Sequence, residues 1–326
     1  MATLQQPIDS GFGARSTAAE VLEGIDLTGR LAIVTGGYSG LGFETVRALS
    51  GAGASVIVPA RRPDHAAGVL ADVSRVDVFE LDLGNLDSVF ACAQQVLDTG
   101  GGIDILINNA AIMACPESRV GVGGVGFEAQ FATNHLGHFA FTNVLWPLLV
   151  DGGGARVVAL SSTGHKLSPI RFDDLQWETG YEKWPAYGQA KTANSLFAVQ
   201  LDALGQDAGV RAFAAHPGGI MTPLQRHLSR EEMIASGWMD EDGNVDDRFK
   251  TPEQGASTST WAATAPALAG MGGVYCENCD IAKPTDVGSP SARTEGVDAH
   301  AIDRDDAARL WAVSAQLTGV DAFASA

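Results

Sequence analysis

The sequence predicts an α/β fold in which helices cover both faces of a doubly wound, parallel sheet of seven strands. Three observations support this. Short apolar runs alternate with helix-length amphipathic segments from about residue 30 to residue 280, and several runs are too continuously apolar for a sheet with one wet face. In addition, 39 of the 326 residues are glycine, which indicates many tight turns. The predicted strands are residues 31–34, 55–58, 76–79, 103–107, 156–160, 211–215 and 273–275.

The strand pattern defines a single domain, which we expect over residues 29–283. Residues 1–28 precede it as an N-terminal arm. Within this arm Thr17 and Glu20 have the spacing of a helix capping box, so a short helix is predicted there.

Two stretches depart from the alternation of strands and helices. Residues 223–252 are charged and carry interleaved large apolar side chains, and an insertion near the carboxyl ends of the strands predicts a flap over a substrate. The apolar residues of this flap are Leu224, Leu228, Met233, Ile234, Trp238 and Met239. Residues 284–326 form a C-terminal tail, in which a helix is predicted from about residue 303 to 317, with Leu310, Trp311 and Val313 available to dock.

The charge balance limits the partners of the chain. It has 21 Lys and Arg residues against 39 Asp and Glu, a net charge of −18 at pH 7 that repels nucleic-acid phosphates and anionic lipid headgroups. The N-terminus has no basic segment followed by an apolar core, and no apolar stretch is long enough to span a bilayer. We therefore expect a cytoplasmic protein without nucleic-acid or membrane partners.

Two groups of metal-ligating residue types are interpreted as structural. Cys276 and Cys279 have the spacing of half a zinc site, but no second pair follows at a suitable distance, so we expect both thiols to pack at the end of the last strand and no metal to bind. His135 and His138 lie on an apolar helix, where we expect histidines that satisfy their hydrogen bonds in the core or at an interface.

A glycine-rich turn follows the first predicted strand and leads into a helical segment. Glycines in this position permit a close approach of the backbone, so that free N–H groups and the positive helix end meet a pyrophosphate. The alternative is an ordinary turn between a strand and a helix. The residues expected at the cofactor are Thr35, Gly36, Tyr38, Ser39, Gly40, Leu41 and Gly42.

The end of the second strand indicates which dinucleotide binds. An NAD enzyme usually places a carboxylate there for the ribose hydroxyls, whereas this chain has Arg61 and Arg62. Two guanidiniums favour the 2′-phosphate of NADP(H), although both side chains could simply be solvated. Asp82 follows the third strand, where it either contacts the adenine edge or caps a helix.

Tyr187 and Lys191 are spaced one helical turn apart within a helix predicted over residues 186–204. A free phenol has a pKa near ~10, and a neighbouring ammonium stabilises the phenolate, so the pair is suited to proton transfer near neutral pH. The alternative is an amphipathic helix with an exposed lysine.

Six motifs place this pair in a wider context. They are Thr35-Gly-x-x-x-Gly-x-Gly42, Asn108-Asn109-Ala110-Ala111, Asn134, Ser161-Ser162, Tyr187-x-x-x-Lys191 and His216-Pro217-Gly218. In this order and spacing the chain resembles the short-chain dehydrogenase/reductase family over roughly residues 16–285. Segments 16–29, 134–139 and 186–194 are most similar to the branch of the retinol dehydrogenases and the WW-domain oxidoreductases. Ala111 and Ala190 depart from the usual Gly and Ser of this family.

The resemblance implies a Rossmann-type fold and a role for each motif. Tyr187 would be the general acid or base, Lys191 would lower its pKa and bind the nicotinamide ribose, and Ser162 would hold the substrate oxygen. Ser161 would be structural, and Asn134 would hold a water that links Lys191 to solvent. Further cofactor contacts would come from Leu83, Asn109, Ala110, Ala111, Pro217, Gly218, Ile220 and Thr222, with Tyr187 and Lys191 at the nicotinamide end.

The function expected from these residues is metal-independent carbonyl reduction or alcohol oxidation with NADP(H) on a bulky hydrophobic or aromatic substrate. The alternatives are reduction of a conjugated C=C bond and a non-catalytic sensor or scaffold that binds NADP(H). The expected substrate contacts are Ser162, His165, Tyr187, Trp184, Leu224 and Trp238. Relatives assemble through helices that correspond to residues 134–150 and 186–204, so a homo-oligomer is expected unless the arm or the tail covers those faces.

Overall fold

The computed structural model describes residues 3–121 and 126–324 and has a central sheet with helices on both faces. The central sheet has the order β3-β2-β1-β4-β7-β8-β9-β10, in which the neighbours from β3 to β9 are parallel. A separate antiparallel hairpin pairs β5 with β6. The strands are β1 Leu31–Val34, β2 Ser55–Ala60, β3 Val76–Glu80, β4 Ile105–Asn108, β5 Arg119–Val120, β6 Phe127–Glu128, β7 Arg156–Leu160, β8 Arg211–His216, β9 Val274–Glu277 and β10 Asp280–Ile281.

The predicted doubly wound parallel sheet is confirmed, but the count of seven strands is short by one. The eighth strand, β10, pairs antiparallel with β9 through a tight turn at Asn278 and Cys279. Both residues have a left-handed backbone, with φ of 52° and 60°. Such a hairpin turn is normally recognised by glycine after asparagine, and this one has a cysteine at its second position, so the usual glycine signal is missing.

Helices flank the sheet on two sides. They are α1 Ala18–Val21, α2 Gly40–Gly51, α3 Pro63–Val69, α4 Leu86–Thr99, α5 Ala129–Phe131, α6 Gly137–Val144, α7 Trp146–Asp151, α8 Lys183–Gly205, α9 Arg230–Ala235, α10 Pro252–Gly255, α11 Ser257–Thr264 and α12 Arg304–Thr318. A π-helical turn, Ala132–Leu136, joins α5 to α6, and five 3-10 turns lie at Thr163–Leu167, Gln206–Ala208, Pro223–His227, Pro266–Leu268 and Ala299–Ala301. In the described part of the chain, no helix is both long and apolar enough to cross a membrane.

The two sheet faces bury separate apolar cores. Side chains of α2 and α11 pack on one face, for example Leu49 and Trp261, and side chains of α4, α6 and α8 pack on the other. Continuous apolar strands such as β4 are buried by both cores, as predicted from their composition.

The N-terminal arm covers the sheet edge at β9 and β10. Its predicted capping box is present, because Thr17 Oγ1 accepts from the Glu20 amide at 3.2 Å and Glu20 Oε2 accepts from the Thr17 amide at 2.7 Å. Gln5 replaces a paired strand: its Nε2 donates to the carbonyls of Tyr275 and Ala282, and its Oε1 accepts from the Tyr275 amide. These bonds occupy backbone groups that an open edge would expose.

The C-terminal helix α12 lies across α6 and α8. Trp311 is 6% exposed and stacks on Phe197 of α8, with ring centroids 5.8 Å apart, and its edge meets Phe139 of α6 at 4.8 Å. Ser314 bonds the buried His135 at 2.8 Å. The predicted docking of this helix is confirmed for Leu310 and Trp311, whereas Val313 is only half-buried and belongs to neither core cluster.

Candidate active site

A cleft of about 770 Å³ opens at the carboxyl edge of the sheet, beside the glycine-rich turn. Ser39 precedes α2 and makes no capping bond through its side chain, so the first N–H groups of that helix are available to an anion. The predicted cofactor residues that line the cleft are Gly36, Tyr38, Ser39, Gly40, Leu41, Gly42, Arg61, Arg62, Asp82, Leu83, Asn109, Ala110, Ala111 and Thr222.

Glycine is required in this turn by geometry. Gly36 and Gly40 have φ of 65° and 53°, and a Cβ at Gly42 would lie 2.6 Å from Asn109 Nδ2. That amide nitrogen donates to the Thr35 carbonyl at 2.7 Å, so β4 holds the turn in place. An elongated cleft with a helix N-terminus in its wall and two guanidiniums at one end fits a phosphorylated dinucleotide.

Asp82 does not cap a helix. Its Oδ1 accepts from the Gly84 amide at 2.9 Å, and Asn85 caps α4 instead by accepting from the Asp87 and Ser88 amides. The structure therefore leaves Asp82 in the wall of the cleft, as the adenine-contact alternative requires.

Tyr187 and Lys191 lie on the second and third turns of α8, and each is about 95% or more buried. Lys191 Nζ lies 5.6 Å from the Tyr187 ring centroid and donates to the Leu160 carbonyl at 2.9 Å. Burial raises the pKa of Tyr187 to about 12, although hydrogen bonding to Ser162 lowers it, and burial lowers the pKa of Lys191 to about 7. The lowering of the Tyr187 pKa that was expected from Lys191 is not seen, because desolvation dominates.

The two serines at the end of β7 have different surroundings. Ser161 Oγ donates to the Lys191 carbonyl at 2.9 Å and accepts from Ser195 Oγ at 2.8 Å, so it joins β7 to α8. Ser162 Oγ accepts from the Gly164 amide at 3.0 Å and is near enough to the Tyr187 phenol to lower its pKa. Ser162 is therefore the serine beside the phenol.

Asn134 lies in the π-helical turn and is fully buried. Its side chain pairs with both backbone groups of Ile112: Oδ1 accepts from the amide and Nδ2 donates to the carbonyl, each at 2.9 Å. One turn earlier on the same helix face, Gln130 Oε1 accepts from the Ala114 amide at 2.7 Å. These two amides fix the loop that packs beneath Tyr187.

His138, one turn after Asn134, connects this helix to the glycine-rich turn. Its Nε2 lies 2.8 Å from Thr35 Oγ1, which already accepts from the amides of Asn109 and Ala110. The Thr35 hydroxyl must therefore donate to Nε2, and the Nδ1–H of His138 donates to the Asn134 carbonyl at 3.0 Å. Burial lowers the pKa of His138 to about 4, in keeping with this neutral form. Sequence reasoning did not identify this link; its only signal was the four-residue spacing from Asn134.

An apolar cluster adjoins Tyr187 on the side of the flap. Its buried members are Met113 and Ala114, and the partly buried ones are Trp184, Leu224, Leu228 and Trp238. Trp184 meets the Tyr187 ring at 6.3 Å and the flap residue Trp238 at 5.9 Å, both edge-on. Three predicted substrate contacts, Trp184, Leu224 and Trp238, are thus brought together beside the phenol.

His165 does not face the cleft, and its prediction as a substrate contact is wrong. It is fully buried, its Nδ1 bonds the Ser162 carbonyl at 2.7 Å, and its Nε2 accepts from the Asp298 amide at 3.1 Å. The 3-10 turn after Ser162 directs this ring toward the C-terminal tail, which proximity in sequence to Ser162 did not reveal.

The loop after β8 carries the remaining predicted cofactor residues. Gly218 has a φ of 97°, and the stem of Lys250 packs against it. Lys250 Nζ donates to Asn278 Oδ1 at 2.9 Å, so the end of the flap is joined to the turn between β9 and β10. Thr222 packs against Gly40 at the start of α2. Six predicted cofactor residues do not line the open cleft: Thr35, Ile220, Tyr187 and Lys191, which are buried, and Pro217 and Gly218.

Cys276 and Cys279 are buried at the end of the sheet, as expected. The Cys279 thiol lies 3.1 Å from Ser257 Oγ. Within residues 3–121 and 126–324, no group of three or more His, Cys, Asp or Glu side chains is placed to hold a metal ion.

Comparisons with known proteins agree with this geometry. Residues 30–233 match a family model described as short chain dehydrogenase. A Streptomyces lividans protein named "Probable oxidoreductase" is 44% identical over 88% of this chain and 97% of its own length, and retinol dehydrogenase 12 of Mus musculus is 35% identical over 91% and 88%. A crystal structure of an uncharacterized Mycobacterium paratuberculosis protein, 34% identical, matches with a TM-score of 0.71 over 94% of this chain and 98% of that one.

Proposed function

The chain belongs to the short chain dehydrogenase family and is an oxidoreductase of that family, and from this premise we propose that it interconverts a carbonyl compound and an alcohol with NADP(H). One observation supports the proposal most directly. Tyr187, Ser162 and Lys191 meet at the carboxyl edge of the sheet, where the Ser162 hydroxyl is near enough to lower the pKa of the phenol and Lys191 Nζ lies 5.6 Å from its ring centroid. A protein that only bound the cofactor would not need this phenol.

In this proposal each residue has a defined task. NADPH, when bound, supplies the hydride. Tyr187 keeps its proton at neutral pH because burial raises its pKa to about 12, so it can protonate the oxygen of a carbonyl that is being reduced. Ser162 Oγ orients that oxygen by a hydrogen bond, and Lys191 stabilises the phenolate that remains.

The preference for NADP(H) rests on Arg61 and Arg62. Both guanidiniums line the cleft next to the end of β2, and neither has a salt bridge among the described residues. A forked donor of this kind matches a phosphate better than a ribose hydroxyl.

The proposed substrate is bulky and hydrophobic or aromatic. Met113, Trp184, Leu224, Leu228 and Trp238 surround the phenol with apolar and aromatic surface. A surface of this type favours lipophilic ligands. The name of the mouse relative, a retinol dehydrogenase, refers to a hydrophobic alcohol and supports the same substrate class.

A panel of ketones and aldehydes, assayed with NADPH and NADH in parallel, tests the proposal. We expect lipophilic aromatic carbonyls to oxidise NADPH faster than NADH and to yield alcohols, and we expect Tyr187→Phe to abolish turnover without changing NADPH binding. Efficient turnover of small polar ketones alone would contradict the substrate class. A saturated ketone as product would instead indicate C=C reduction, and cofactor binding without turnover of any carbonyl would favour the sensor or scaffold.

A further inference from the structure

The two walls of the cofactor cleft both carry cationic side chains. Arg61 and Arg62 follow β2 on one wall. Arg226, in the 3-10 turn Pro223–His227 of the flap, lines the same cleft. Sequence reasoning gave Arg226 no role, because the flap was interpreted only as an apolar cover for the substrate.

Arg226 is held close to the β2 wall and has no acidic partner in the described part of the chain. Its Nη1 donates to the Pro223 carbonyl at 3.1 Å, which bends the side chain back along its own turn. Partial burial and the charge of Arg61 both lower the pKa of Arg226, so the two guanidiniums are near enough to repel each other.

This concentration of positive charge is unusual for so acidic a chain. The protein has 39 carboxylates against 21 Lys and Arg residues, yet Asp82 is the one acidic residue among the described residues that line the cleft, and it accepts from the Gly84 amide. Guanidiniums that face each other without carboxylates are stabilised when an anion binds between them.

We propose that Arg226 is a ligand for the 2′-phosphate of NADPH and binds it from the flap, opposite Arg61. This inference rests on the proposed function and adds a residue to it. The position of Arg226 in the cleft favours the 2′-phosphate over the pyrophosphate as its ligand. Thr222 covers the start of α2, where a pyrophosphate would lie, whereas Arg226 is four residues further on and lines the cleft together with Arg61 and Tyr38.

The contact links cofactor binding to the substrate side. On that side the flap is held to α8 by the ion pair of Lys183 with Glu232 and by Trp238 against Trp184. A phosphate between Arg61 and Arg226 adds a third attachment, so NADPH stabilises the flap over the substrate cluster whereas NADH does not.

The test measures NADPH and NADH affinity of the full chain by fluorescence titration, without turnover. We expect Arg226→Ala to weaken NADPH binding on the order of 10-fold to 100-fold and to change NADH binding less than twofold, because one charged hydrogen-bond donor to the phosphate is lost. Arg61→Ala should have the same selectivity. Arg230→Ala removes a flap arginine that bonds the Glu241 carbonyl outside the cleft, so it should leave both affinities unchanged.

Three outcomes would overturn the inference: an unchanged NADPH affinity in Arg226→Ala, an equal loss for both cofactors, which would put Arg226 at the pyrophosphate, or an equal loss in Arg230→Ala. Selective loss in a protein that turns over no carbonyl would support the inference while contradicting the proposed function.

Discussion

The imidazole of His138 joins Thr35 to Asn134, with Nε2 2.8 Å from the threonine hydroxyl and Nδ1 3.0 Å from the asparagine carbonyl. Thr35 begins the glycine-rich turn, and Asn134 holds the loop beneath Tyr187 through Ile112. A single neutral ring therefore fixes the cofactor turn relative to the helical segment that carries Asn134.

We expect His138→Phe to weaken both folding and cofactor binding. The substitution leaves a buried hydroxyl without an acceptor and a buried carbonyl without a donor, each worth ~1–3 kcal/mol. The free energy of unfolding in urea and the NADPH affinity should both fall. His135→Phe is the matched control, because His135 is equally buried but bonds Ser314 of α12. It should reduce stability and spare cofactor affinity; equal effects of both variants on affinity would contradict the link.

The pH dependence of the two reaction directions should differ. Reduction needs a protonated Tyr187 and oxidation needs its phenolate, and burial raises the Tyr187 pKa to about 12. Oxidation of an alcohol should therefore speed up steadily from pH 6 to pH 10, while the phenol itself does not limit reduction in this range. Initial rates in both directions check this. Ser162→Ala removes the bond that lowers the pKa and should move the rise in oxidation to higher pH. An oxidation rate that is flat across this range would contradict the role of Tyr187.

Lys191→Met should abolish activity and yet stabilise the fold. Burial lowers the folded pKa of Lys191 to about 7 from 10.5 in the unfolded chain, so the folded state binds the proton more weakly. Burying Lys191 therefore lowers the free energy of unfolding. This destabilisation is complete below pH 7, decreases as the pH rises and is absent above pH 10.5. Asn194 Nδ2 still satisfies the Leu160 carbonyl at 2.9 Å in the variant.

Thermal melts of wild type and Lys191→Met at pH 6 and pH 9 measure this effect. The gain in Tm should be at least ~3 °C at pH 6 and smaller at pH 9. A gain that grows with pH would show that the lysine is stabilised by its surroundings.

The sequence predicted the sheet well because its strands are short, apolar and regularly spaced. It did not predict β10, since the turn at Asn278 and Cys279 has left-handed residues other than glycine. Local patterns also located the glycine-rich turn and the spacing of Tyr187 and Lys191. Both depend on neighbours within one turn of a helix.

The sequence did not predict features of the site that depend on where a side chain points in the folded protein. His165 is three residues from Ser162 but points to the C-terminal tail, and His138 looks like an ordinary core residue until its partner Thr35 is known. Burial raises the Tyr187 pKa, whereas the spacing from Lys191 predicted a lower one. The spacing of residues along the chain does not indicate how strongly a side chain is desolvated, nor which residues about 100 positions apart are in contact.

The ion pair of Lys183 and Glu232 should affect substrate binding more than stability. Both side chains are roughly one-third exposed, and such surface pairs contribute ~0.2–1 kcal/mol. Because Lys183 begins α8 and Glu232 lies in α9 of the flap, we expect Lys183→Met to raise KM for a bulky carbonyl about 2-fold to 5-fold. Tm and the KM for NADPH should not change. Lys283→Met, at an exposed lysine outside the flap, is the control, and an unchanged carbonyl KM in Lys183→Met would contradict a tether.

Trp311→Ala should destabilise the chain and expose a surface for association. Trp311 of α12 packs against Phe139 and Phe197, and removal of a buried aromatic side chain costs ~3–5 kcal/mol. The surface it covers belongs to α6 and α8, the helices through which a homo-oligomer was expected. We therefore propose that wild-type chains do not associate through these helices.

Urea unfolding and light scattering after size exclusion test this proposal together. The wild type should elute without an assembly built on α6 and α8, and Trp311→Ala should unfold at lower urea and self-associate at high concentration, because two apolar helix faces become exposed. Trp238→Ala, at a partly exposed flap residue, should change neither property. If the wild type forms a stable dimer that Trp311→Ala disrupts, then α12 takes part in the interface and does not shield it.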